Sequence, residues 1–386
     1  MRDPDFTLAA GPTAATARTL AALGSPITYH YDPVFLDAFR RTEAKVGQLF
    51  RTENEILLFT SAGTGAMESA VANLCSPGDR VLVVSHGYFG ERFAAMATAY
   101  GMDLTHLRYA WGETPSPDEV GERLEEIGGA KAVFLTHSET STGVVSDVRS
   151  IAERLSASGA LLVVDAISSL AAVPLESDAW GLDVVVTSSH KALMCPPGLA
   201  FVSVSPAALE AMRSATSPRY YFDWETTRAA QAKSPPENPF SPAIPLVLGL
   251  DVALEMILAE GLETALERHV RLGRACRAGV KAMGCELFSP DEDRAAVVTA
   301  IRMPSDIDGD AIVLSMRDRS GVTVIGGQGE LKGQIVRIGH IGYVDVFDVT
   351  TALAALERAL SEAGADIEHG SAVPAALEAF SEPVTV

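Results

Sequence analysis

Short uninterrupted apolar runs alternate with amphipathic stretches between about residues 55 and 205. The runs consist of about four aliphatic or β-branched residues without polar alternation, which is typical of strands covered on both faces. The stretches between them carry apolar residues at helical spacing, so the pattern predicts an α/β fold with a largely parallel sheet between helices. The predicted strands are 56–59, 81–84, 132–135, 161–164, 184–186 and 199–202.

Beyond residue 205 the pattern changes twice. Between 214 and 245 the chain is rich in Pro, Ser and aromatic residues, and the stretch Ser234–Pro242 within it is too rigid and irregular for a helix or a central strand. We interpret this segment as a structured loop or a crossover between domains. The remaining pattern predicts a smaller α+β domain, with helices near 246–260, 262–283 and 345–363 and strands at 295–301 and 335–338.

These changes suggest how the chain is divided, and its 386 residues are enough for two or three domains. The segment after Ala365 is weakly amphipathic, and the pattern assigns no element to it. We predict an N-terminal arm over 1–20, a large domain over 21–250, a small C-terminal domain over 251–365 and a tail over 366–386.

Composition and charge narrow the possible partners. Lys and Arg number 30 against 50 Asp and Glu, and the resulting net charge of -20 repels nucleic acid and anionic membrane surfaces. No uncharged apolar stretch approaches the ~20 residues that cross a bilayer, and the start, Met1–Asp5, lacks the pattern of a secretion signal. We therefore expect a cytoplasmic protein without nucleic-acid or membrane partners.

The four cysteines have neither the close pairing of a zinc site nor the density of a disulfide scaffold. They stand at positions 75, 195, 276 and 285, and the eight histidines contain no HExxH spacing. Reduced, buried thiols are the expected state, and no metal site is predicted.

Lys191 stands where a predicted buried strand gives way to a polar and then Pro/Gly-rich loop. Burial disfavours the charged form of a lysine and lowers its pKa, which makes a free amine available as a nucleophile toward carbonyls. This is the chemistry of a Schiff base. A solvated lysine at the end of a strand is the alternative interpretation.

Asp165 ends another predicted strand, 161–164. Ligands of open α/β sheets bind beyond the carboxyl ends of the strands, so Asp165 and Lys191 are expected to face one site. A carboxylate there could hold a protonated ring nitrogen, as pyridoxal phosphate requires. Without the lysine, a helix cap or turn would explain this aspartate equally well.

A glycine-rich segment between a strand and a helical stretch contains Gly63, Thr64 and Gly65. Free amides at a helix N-terminus bind phosphate, and glycines allow a close backbone approach. A dinucleotide-binding turn is disfavoured because Glu68 stands where Gly or Ala is needed and no acidic residue closes the next strand. The segment predicts a phosphate cup, although a plain tight turn fits it as well.

Three further side chains could complete the site. Phe89 follows the strand 81–84 and could stack on a flat cofactor, although core packing is the default for a phenylalanine. Thr140, in a hydroxyl-rich turn after the strand 132–135, could reach a phenolic oxygen or a phosphate. Arg337 lies in an apolar strand flanked by glycines and suits a substrate carboxylate if it points inward, which periodicity cannot decide.

Six motifs that contain these residues follow one another along the chain after Ala10–Thr13. As a series they resemble the class V, fold type I pyridoxal-phosphate aminotransferases, specifically the alanine–glyoxylate and serine–pyruvate aminotransferase group. The resemblance extends to about Leu360. The stretch Ile27–Pro33 is closer to pyridoxamine–pyruvate aminotransferase. The motifs are Gly63-Thr-Gly-Ala-Met-Glu68, Gly87-Tyr-Phe-Gly-Glu-Arg92, His137-Ser-Glu-Thr-Ser-Thr-Gly143, Val164-Asp-Ala-Ile-Ser-Ser169, Ser189-His-Lys-Ala-Leu-Met-Cys-Pro-Pro-Gly198 and Arg337-Ile-Gly-His340.

The resemblance implies a fold and a set of roles. The fold is a large domain with a mainly parallel sheet of the seven-stranded type, plus a smaller α+β domain. The cofactor implied is pyridoxal 5′-phosphate, in a homodimer with active sites at the interface. The resemblance implies that Lys191 forms the Schiff base with the cofactor, that Asp165 binds its pyridine nitrogen and that Thr140 lies near its phenolic oxygen. It implies that Phe89 and Ile167 contact the two faces of the cofactor ring and that the phosphate cup consists of Gly63, Thr64, Gly65 and His190. On the substrate side it implies that Arg337 binds the carboxylate and that Gly11 lines the site, with Phe240 and Ser241 contributed by the second subunit.

The predicted reaction is transfer of an amino group from a small amino acid, of the alanine or serine type, to a 2-oxo acid such as glyoxylate or pyruvate. Pyridoxamine–pyruvate aminotransferase activity and a lyase or desulfurase on the same cofactor are alternatives. A desulfurase needs a mobile catalytic cysteine, whereas Cys276 and Cys285 fall in or just after a helical pattern. A non-catalytic scaffold is a further alternative, in which all these motifs would be relics.

Overall fold

A computed structural model of the chain describes residues 6–384. The prediction that the start of the chain lacks a secretion signal rests on Met1–Asp5, which lie outside this range. The strands are β1 (Phe6–Thr7), β2 (Glu55–Phe59), β3 (Arg80–Ser85), β4 (Asp103–Arg108), β5 (Ala132–Thr136), β6 (Ser138–Glu139), β7 (Val144–Val145), β8 (Leu161–Asp165), β9 (Val184–Ser188), β10 (Ala200–Val204), β11 (Val298–Arg302), β12 (Val322–Thr323), β13 (Ile325–Gly326) and β14 (Ile335–Gly339).

Helices account for about half of the remaining described residues, with a short 3-10 turn at Gly329–Leu331. They are α1 (Ala17–Leu23), α2 (Pro33–Phe50), α3 (Gly63–Leu74), α4 (Tyr88–Ala99), α5 (Pro117–Glu126), α6 (Val148–Leu155), α7 (Pro206–Ser214), α8 (Trp224–Gln231), α9 (Ile244–Glu260), α10 (Leu262–Ala282), α11 (Gly309–Ser320), α12 (Val346–Glu362) and α13 (Ala372–Ser381).

The central sheet has seven strands in the order β2-β10-β9-β8-β5-β3-β4. Strands β9, β8, β5, β3 and β4 are parallel, and β10 runs antiparallel to both of its neighbours. Consequently β2 points the same way as the parallel strands, and the carboxyl ends of β2, β9, β8, β5 and β3 lie along one edge. The predicted α/β fold is confirmed.

Six strands of this sheet were predicted from apolar runs, and the seventh, β4, was not. Strand β4 lies at the sheet's edge, where its residues are half-buried or exposed. Its sequence, Asp-Leu-Thr-His-Leu-Arg, contains only two apolar residues, and two polar residues separate them. The rule for strands covered on both faces therefore does not detect it.

A second, three-stranded antiparallel sheet has the order β11-β14-β13 and packs with α10, α11, α12 and α13 around an apolar cluster. The predicted helices and strands of this part are present as α9, α10, α12, β11 and β14, whereas α11 was not predicted. The segment after Ala365 forms α13, whose buried Ala372 and Ala376 join the same cluster. Between residues 6 and 384 no helix combines the length and apolar character needed to cross a membrane.

The prediction that 214–245 forms an irregular connection is wrong in one part, because the segment contains the helix α8. Asp223 caps this helix by accepting a hydrogen bond from the amide of Thr226 at 2.8 Å. Trp224 anchors the helix through a fully buried side chain. The stretch Ser234–Pro242 contains no regular element, as predicted.

The chain between β1 and α1 connects the two sheets. Strand β1 pairs with β12, and the Leu8 carbonyl then accepts a hydrogen bond from the amide of Gly339 at 2.7 Å. Farther along, the Thr13 amide donates to the carbonyl of His190 at 3.1 Å. This connection holds residues 8–13 beside the loop that follows β9.

Candidate active site

Lys191 lies in the loop after β9, and only 6% of its surface is exposed. Its Nζ donates a hydrogen bond to the carbonyl of Ala10. A Cβ atom on Gly11 would lie 2.2 Å from that Nζ, so only glycine leaves room for the amine at this position. The structure thus brings Gly11 and Lys191 together and excludes a solvated strand end for the lysine.

Asp165 ends β8, the strand beside β9, and its side chain is buried. Its Oδ1 accepts a hydrogen bond from the amide of Ile167 at 2.8 Å. Burial raises the pKa of Asp165 to about 7, against the effect of this hydrogen bond and of the nearby Lys191. Burial also lowers the pKa of Lys191 to about 8, although Asp165 opposes this shift.

The helix α3 begins at Gly63, directly after β2, and its N-cap residue Ala62 has no side-chain acceptor for the first amides. A Cβ on Gly63 would lie 2.6 Å from Cδ1 of Ile167, and one on Gly65 would lie 2.0 Å from Oγ of Ser61. The helix start is therefore closely packed. The Gly65 amide donates to the Ala62 carbonyl at 2.9 Å, whereas the Gly63 and Thr64 amides have no partner among the described residues, which suits an anion.

Two polar side chains flank this helix start. Thr64 Oγ1 accepts a hydrogen bond of 2.7 Å from Nη1 of Arg92. His190 precedes Lys191, and its Nδ1 lies 2.9 Å from Oγ of Ser188, which in turn would lie 3.0 Å from a Cβ on Gly63. Burial lowers the pKa of His190 to about 4, with a further contribution from Lys191, so the imidazole is neutral near pH 7.

Phe89 is the second residue of α4 and is half-buried. The guanidinium of Arg92 lies over its ring, 4.9 Å from the centroid. The ring is therefore held at the surface of the sheet edge and is not part of either large apolar core cluster. This arrangement disfavours the default interpretation of Phe89 as a core residue.

Arg337 points inward from β14 and is buried. Its Nη1 donates to the carbonyl of Thr140 at 2.6 Å, and its Nε and Nη2 donate to the carbonyl of Gly326 at 2.9 and 2.7 Å. Burial lowers the pKa of Arg337 to about 10. Within residues 6–384 no carboxylate forms a salt bridge with this guanidinium, although such a partner is the usual condition for burying one.

Ser241 is exposed, and no hydrogen bond joins it to the other predicted site residues within the described chain. Two residues later, the amide of Ala243 donates to Oγ1 of Thr60, at the end of β2, at 3.1 Å. The predicted contribution of Ser241 to the site of a second subunit stays a prediction.

Two charged residues near the site were not singled out from the sequence, namely Glu139 and Arg92. Glu139 is fully buried and follows β5 much as Asp165 ends β8. The rule that the carboxyl ends of strands face the ligand, applied to β5, would have found it. Arg92 gave no signal, because its helical position resembles that of any surface arginine.

An open α/β sheet that carries a buried lysine and a buried carboxylate at one carboxyl edge is the architecture of the fold type I enzymes that use pyridoxal phosphate. The model of the family "Aminotransferase class-V" matches residues 18–339, and the chain belongs to this family.

The chain is similar over nearly its whole length to proteins with several names. A Synechococcus protein named "Soluble hydrogenase, small subunit" is 40% identical and covers 99% of this chain and 100% of its own length. The L-aspartate–glyoxylate aminotransferase of Paracoccus denitrificans is 35% identical, covering 96% and 95%. The solved structure of pyridoxamine–pyruvate aminotransferase from Mesorhizobium loti is 32% identical, with a TM-score of 0.93 and coverage of 98% and 97%.

These comparisons confirm the family resemblance, the fold type and the enzyme class predicted from the sequence. The protein is an aminotransferase that depends on pyridoxal phosphate.

Proposed function

We propose that the protein transfers the amino group of a small amino acid, of the alanine or serine type, to glyoxylate or pyruvate. The observation that carries this proposal is the buried Arg337 guanidinium, which has no carboxylate partner among the described residues, at the same sheet edge as the Lys191 amine. One forked guanidinium suits the single α-carboxylate of a small amino acid. Arg92, the other nearby cation, already donates to Thr64 and lies over Phe89.

The described residues fit pyridoxal phosphate. The open amides at the start of α3 suit its phosphate, and the buried carboxylate of Asp165 suits a positively charged ring nitrogen. When bound, the cofactor supplies an aldehyde that combines with amines and a ring that withdraws electrons from the substrate's Cα. We assign the aldehyde to Lys191, the ring nitrogen to Asp165, the two ring faces to Phe89 and Ile167, the phenolic oxygen to Thr140, and the phosphate to Gly63, Thr64, Gly65 and His190.

Lys191 is the residue that we assign to proton transfer at the substrate's Cα. Since burial lowers the pKa of Lys191 to about 8, its Nζ can both accept and return a proton near neutral pH. The contact with the Ala10 carbonyl and the close approach of Gly11 fix the position of this amine. Asp165 would favour the protonated form of the ring nitrogen, because a carboxylate beside a base stabilises its cationic form.

Arg337 and Thr140 connect the substrate and cofactor subsites. The guanidinium would bind the α-carboxylate of the amino acid, and its hydrogen bond to the Thr140 carbonyl holds it against the turn that follows β5. We therefore expect a substrate carboxylate to be oriented relative to the same turn that carries the Thr140 hydroxyl. Gly11 would line the substrate side, where a larger residue would displace Lys191.

The experiment is a screen of purified protein with alanine, serine, aspartate and pyridoxamine as donors and glyoxylate and pyruvate as acceptors. We expect the highest kcat/KM for alanine or serine. A preference for pyridoxamine would support the alternative that the relative from M. loti suggests by its name. A preference for aspartate would contradict the inference drawn from a single arginine without a carboxylate partner.

A desulfurase is disfavoured by the surroundings of the late cysteines. Cys276 is fully buried in α10, and burial raises the pKa of its thiol to about 11. Cys285 is half-buried, and burial raises the pKa of its thiol as well. Neither thiol has the exposure and low pKa that a reactive cysteine needs.

We further propose that the protein is a homodimer and that Ser241 reaches the partner's site. Aromatic and aliphatic side chains cluster at the surface near Ser241 and in the loop before α2. Tyr220 is 83% exposed and Ile27 is 75% exposed, and Tyr221 stacks on Phe240 with ring centroids 4.7 Å apart. An exposed aromatic surface of this kind is typical of a protein interface. Light scattering after gel filtration would measure the mass of the assembly.

We also propose the division into an arm over 1–20, a large domain over 21–250, a small domain over 251–365 and a tail over 366–386. The apolar cluster around β14 and α12, separate from the clusters of the central sheet, supports a boundary near α9. A cytoplasmic location without nucleic-acid partners is supported by the four free cysteines and the net charge of -20. Limited proteolysis and cell fractionation would test these two proposals.

A further inference from the structure

Glu139 is a fully buried carboxylate that accepts four hydrogen bonds at the sheet edge. Its Oε2 accepts from the amides of Phe89 at 2.9 Å and Gly90 at 3.1 Å. Its Oε1 accepts from the amide of Ser141 at 3.1 Å and from the Ser141 hydroxyl at 2.6 Å. This side chain therefore joins the turn after β5 to the start of α4.

The start of α4 depends on these contacts because its own N-cap residue, Gly87, has no side chain. The Ser141 hydroxyl also accepts a hydrogen bond from the amide of Tyr88 at 2.9 Å. Together, Glu139 and Ser141 thus hold the first three amides of the helix. A Cβ on Gly87 would lie 2.3 Å from Cγ of Glu139, so glycine is needed to admit the carboxylate.

We propose that Glu139 is a positioning residue for the cofactor, acting through Phe89. By holding the Phe89 and Gly90 amides, Glu139 fixes the point from which the Phe89 ring projects. The Arg92 guanidinium, donating to Thr64 and lying over that ring, supports it from a second direction. This inference rests on the proposed stacking of the cofactor on Phe89.

A carboxylate suits this position better than its isosteric amide. Four donors point at Glu139, and an ionised carboxylate offers about four acceptor sites on its two oxygens. A glutamine would direct its own NH₂ donors at one pair of those N–H and O–H groups and leave them unsatisfied. Glu139→Gln therefore tests the contacts with almost no change of volume.

The test is a double-mutant cycle of Glu139→Gln and Phe89→Leu in the full-length protein. The dissociation constant of pyridoxal phosphate is measured by absorbance titration of the cofactor-depleted protein, and the circular dichroism of the bound cofactor is recorded. We expect each single variant to weaken cofactor binding about tenfold, since a hydrogen bond to a charged group or a stacked aromatic ring contributes on this scale. In the Phe89→Leu background, Glu139→Gln should weaken binding less than about twofold, because coupled residues are not additive.

The control is Asp308→Ala, which removes the side-chain cap of α11 away from the site. It should lower the thermal midpoint without changing the dissociation constant or the circular dichroism of the cofactor. If Glu139→Gln behaves like this control, or if its effect is the same with Leu at position 89, Glu139 does not act through Phe89 and the inference is wrong.

Failure of the underlying proposal gives a different result. If the cofactor does not stack on Phe89, Phe89→Leu alone leaves the dissociation constant unchanged. Should Glu139→Gln not fold, Ser141→Ala replaces it in the same cycle, since it removes one donor to Glu139 and the acceptor of the Tyr88 amide. We expect about a threefold loss for Ser141→Ala alone and none in the Phe89→Leu background. Equal losses in both backgrounds would contradict the inference.

Discussion

A buried arginine in the helices that pack on the small sheet has different hydrogen-bond partners from a buried arginine at the edge of the central sheet. Arg277 of α10 donates from Nε to Asp291 at 3.1 Å and from Nη1 to the carbonyl of Ala295 at 2.9 Å. Arg337 of β14 contacts two carbonyls and, within the described residues, no carboxylate. The first guanidinium is paired with a carboxylate of the protein, whereas the second has only the longer-range attraction of the buried Glu139, to which it makes no hydrogen bond.

The same difference separates other buried groups of the two regions. Both ring nitrogens of His340 have partners, the carbonyl of Ala296 at 2.9 Å and the Thr299 hydroxyl at 3.0 Å. At the sheet edge, burial raises the pKa of Asp165 and lowers that of Lys191. The comparison teaches that the site retains buried charges whose electrostatic partners are incomplete, which is typical of functional sites.

Removing the lysine of the site should have the largest effect on catalysis. We expect Lys191→Ala to lower kcat by at least ~10³-fold, because we assign to this amine both the bond to the cofactor aldehyde and the proton transfer. Lys281→Ala, which removes an exposed lysine paired with Asp291, is the control and should keep near wild-type turnover. Steady-state kinetics with saturating cofactor measure both, and retained turnover in Lys191→Ala would refute its assignment.

The two arginines should respond to the same substitution in opposite ways. Arg337→Met should lower kcat/KM by about 100-fold, largely through KM, because a charge-assisted carboxylate contact is lost. Arg277→Met should leave KM unchanged and lower the free energy of unfolding by about 1–2 kcal/mol, since the hydrogen bonds to Asp291 and to the Ala295 carbonyl are lost while Asp291 keeps its pair with Lys281. Substrate kinetics and urea unfolding measure the two effects, and a KM increase in both variants would remove the distinction.

Asp165→Asn should change how the stability of the cofactor-free protein depends on pH. Burial raises the pKa of Asp165 from 3.8 to about 7. Between pH 4 and pH 7 the folded state therefore still binds a proton that the unfolded state has already released. The stabilisation from this proton is fully present below about pH 4 and is lost as pH rises through 7. The wild type should therefore lose on the order of 4 kcal/mol of its free energy of unfolding between pH 4 and pH 8 through this group, and the variant should lack this loss. Parallel urea-unfolding profiles across this range would contradict the burial of Asp165.

His190→Gln should have the smallest effect. Because the pKa of His190 lies at about 4, the imidazole is neutral between pH 5 and 8, and a neutral amide can replace its hydrogen bonds. We expect less than about a threefold change in the cofactor's dissociation constant, and no new pH dependence. An affinity of the wild type that rises sharply below pH 7 and is absent in His190→Gln would show that the histidine is charged.

Lys191 and Asp165 could be placed from the sequence because buried strands give clear apolar runs and their carboxyl ends share one edge. The orientation of Arg337 could not, because β14 is a central strand only through its pairing with β11 and β13. The position of Glu139 near the site could have been found from the same rule, but its contacts could not, since its partners are amides of a helix about fifty residues away in the chain. Pairings between distant segments leave no local pattern.

The attachment site of pyridoxal phosphate tests the central claim most directly. The protein is saturated with cofactor, reduced with borohydride so that the bond between lysine and aldehyde becomes permanent, digested, and mapped by mass spectrometry. We expect the label on Lys191 and on no other lysine, and no stable label in Lys191→Ala. A label on a different lysine, or equal labelling of both proteins, would contradict the assignment of the buried amine.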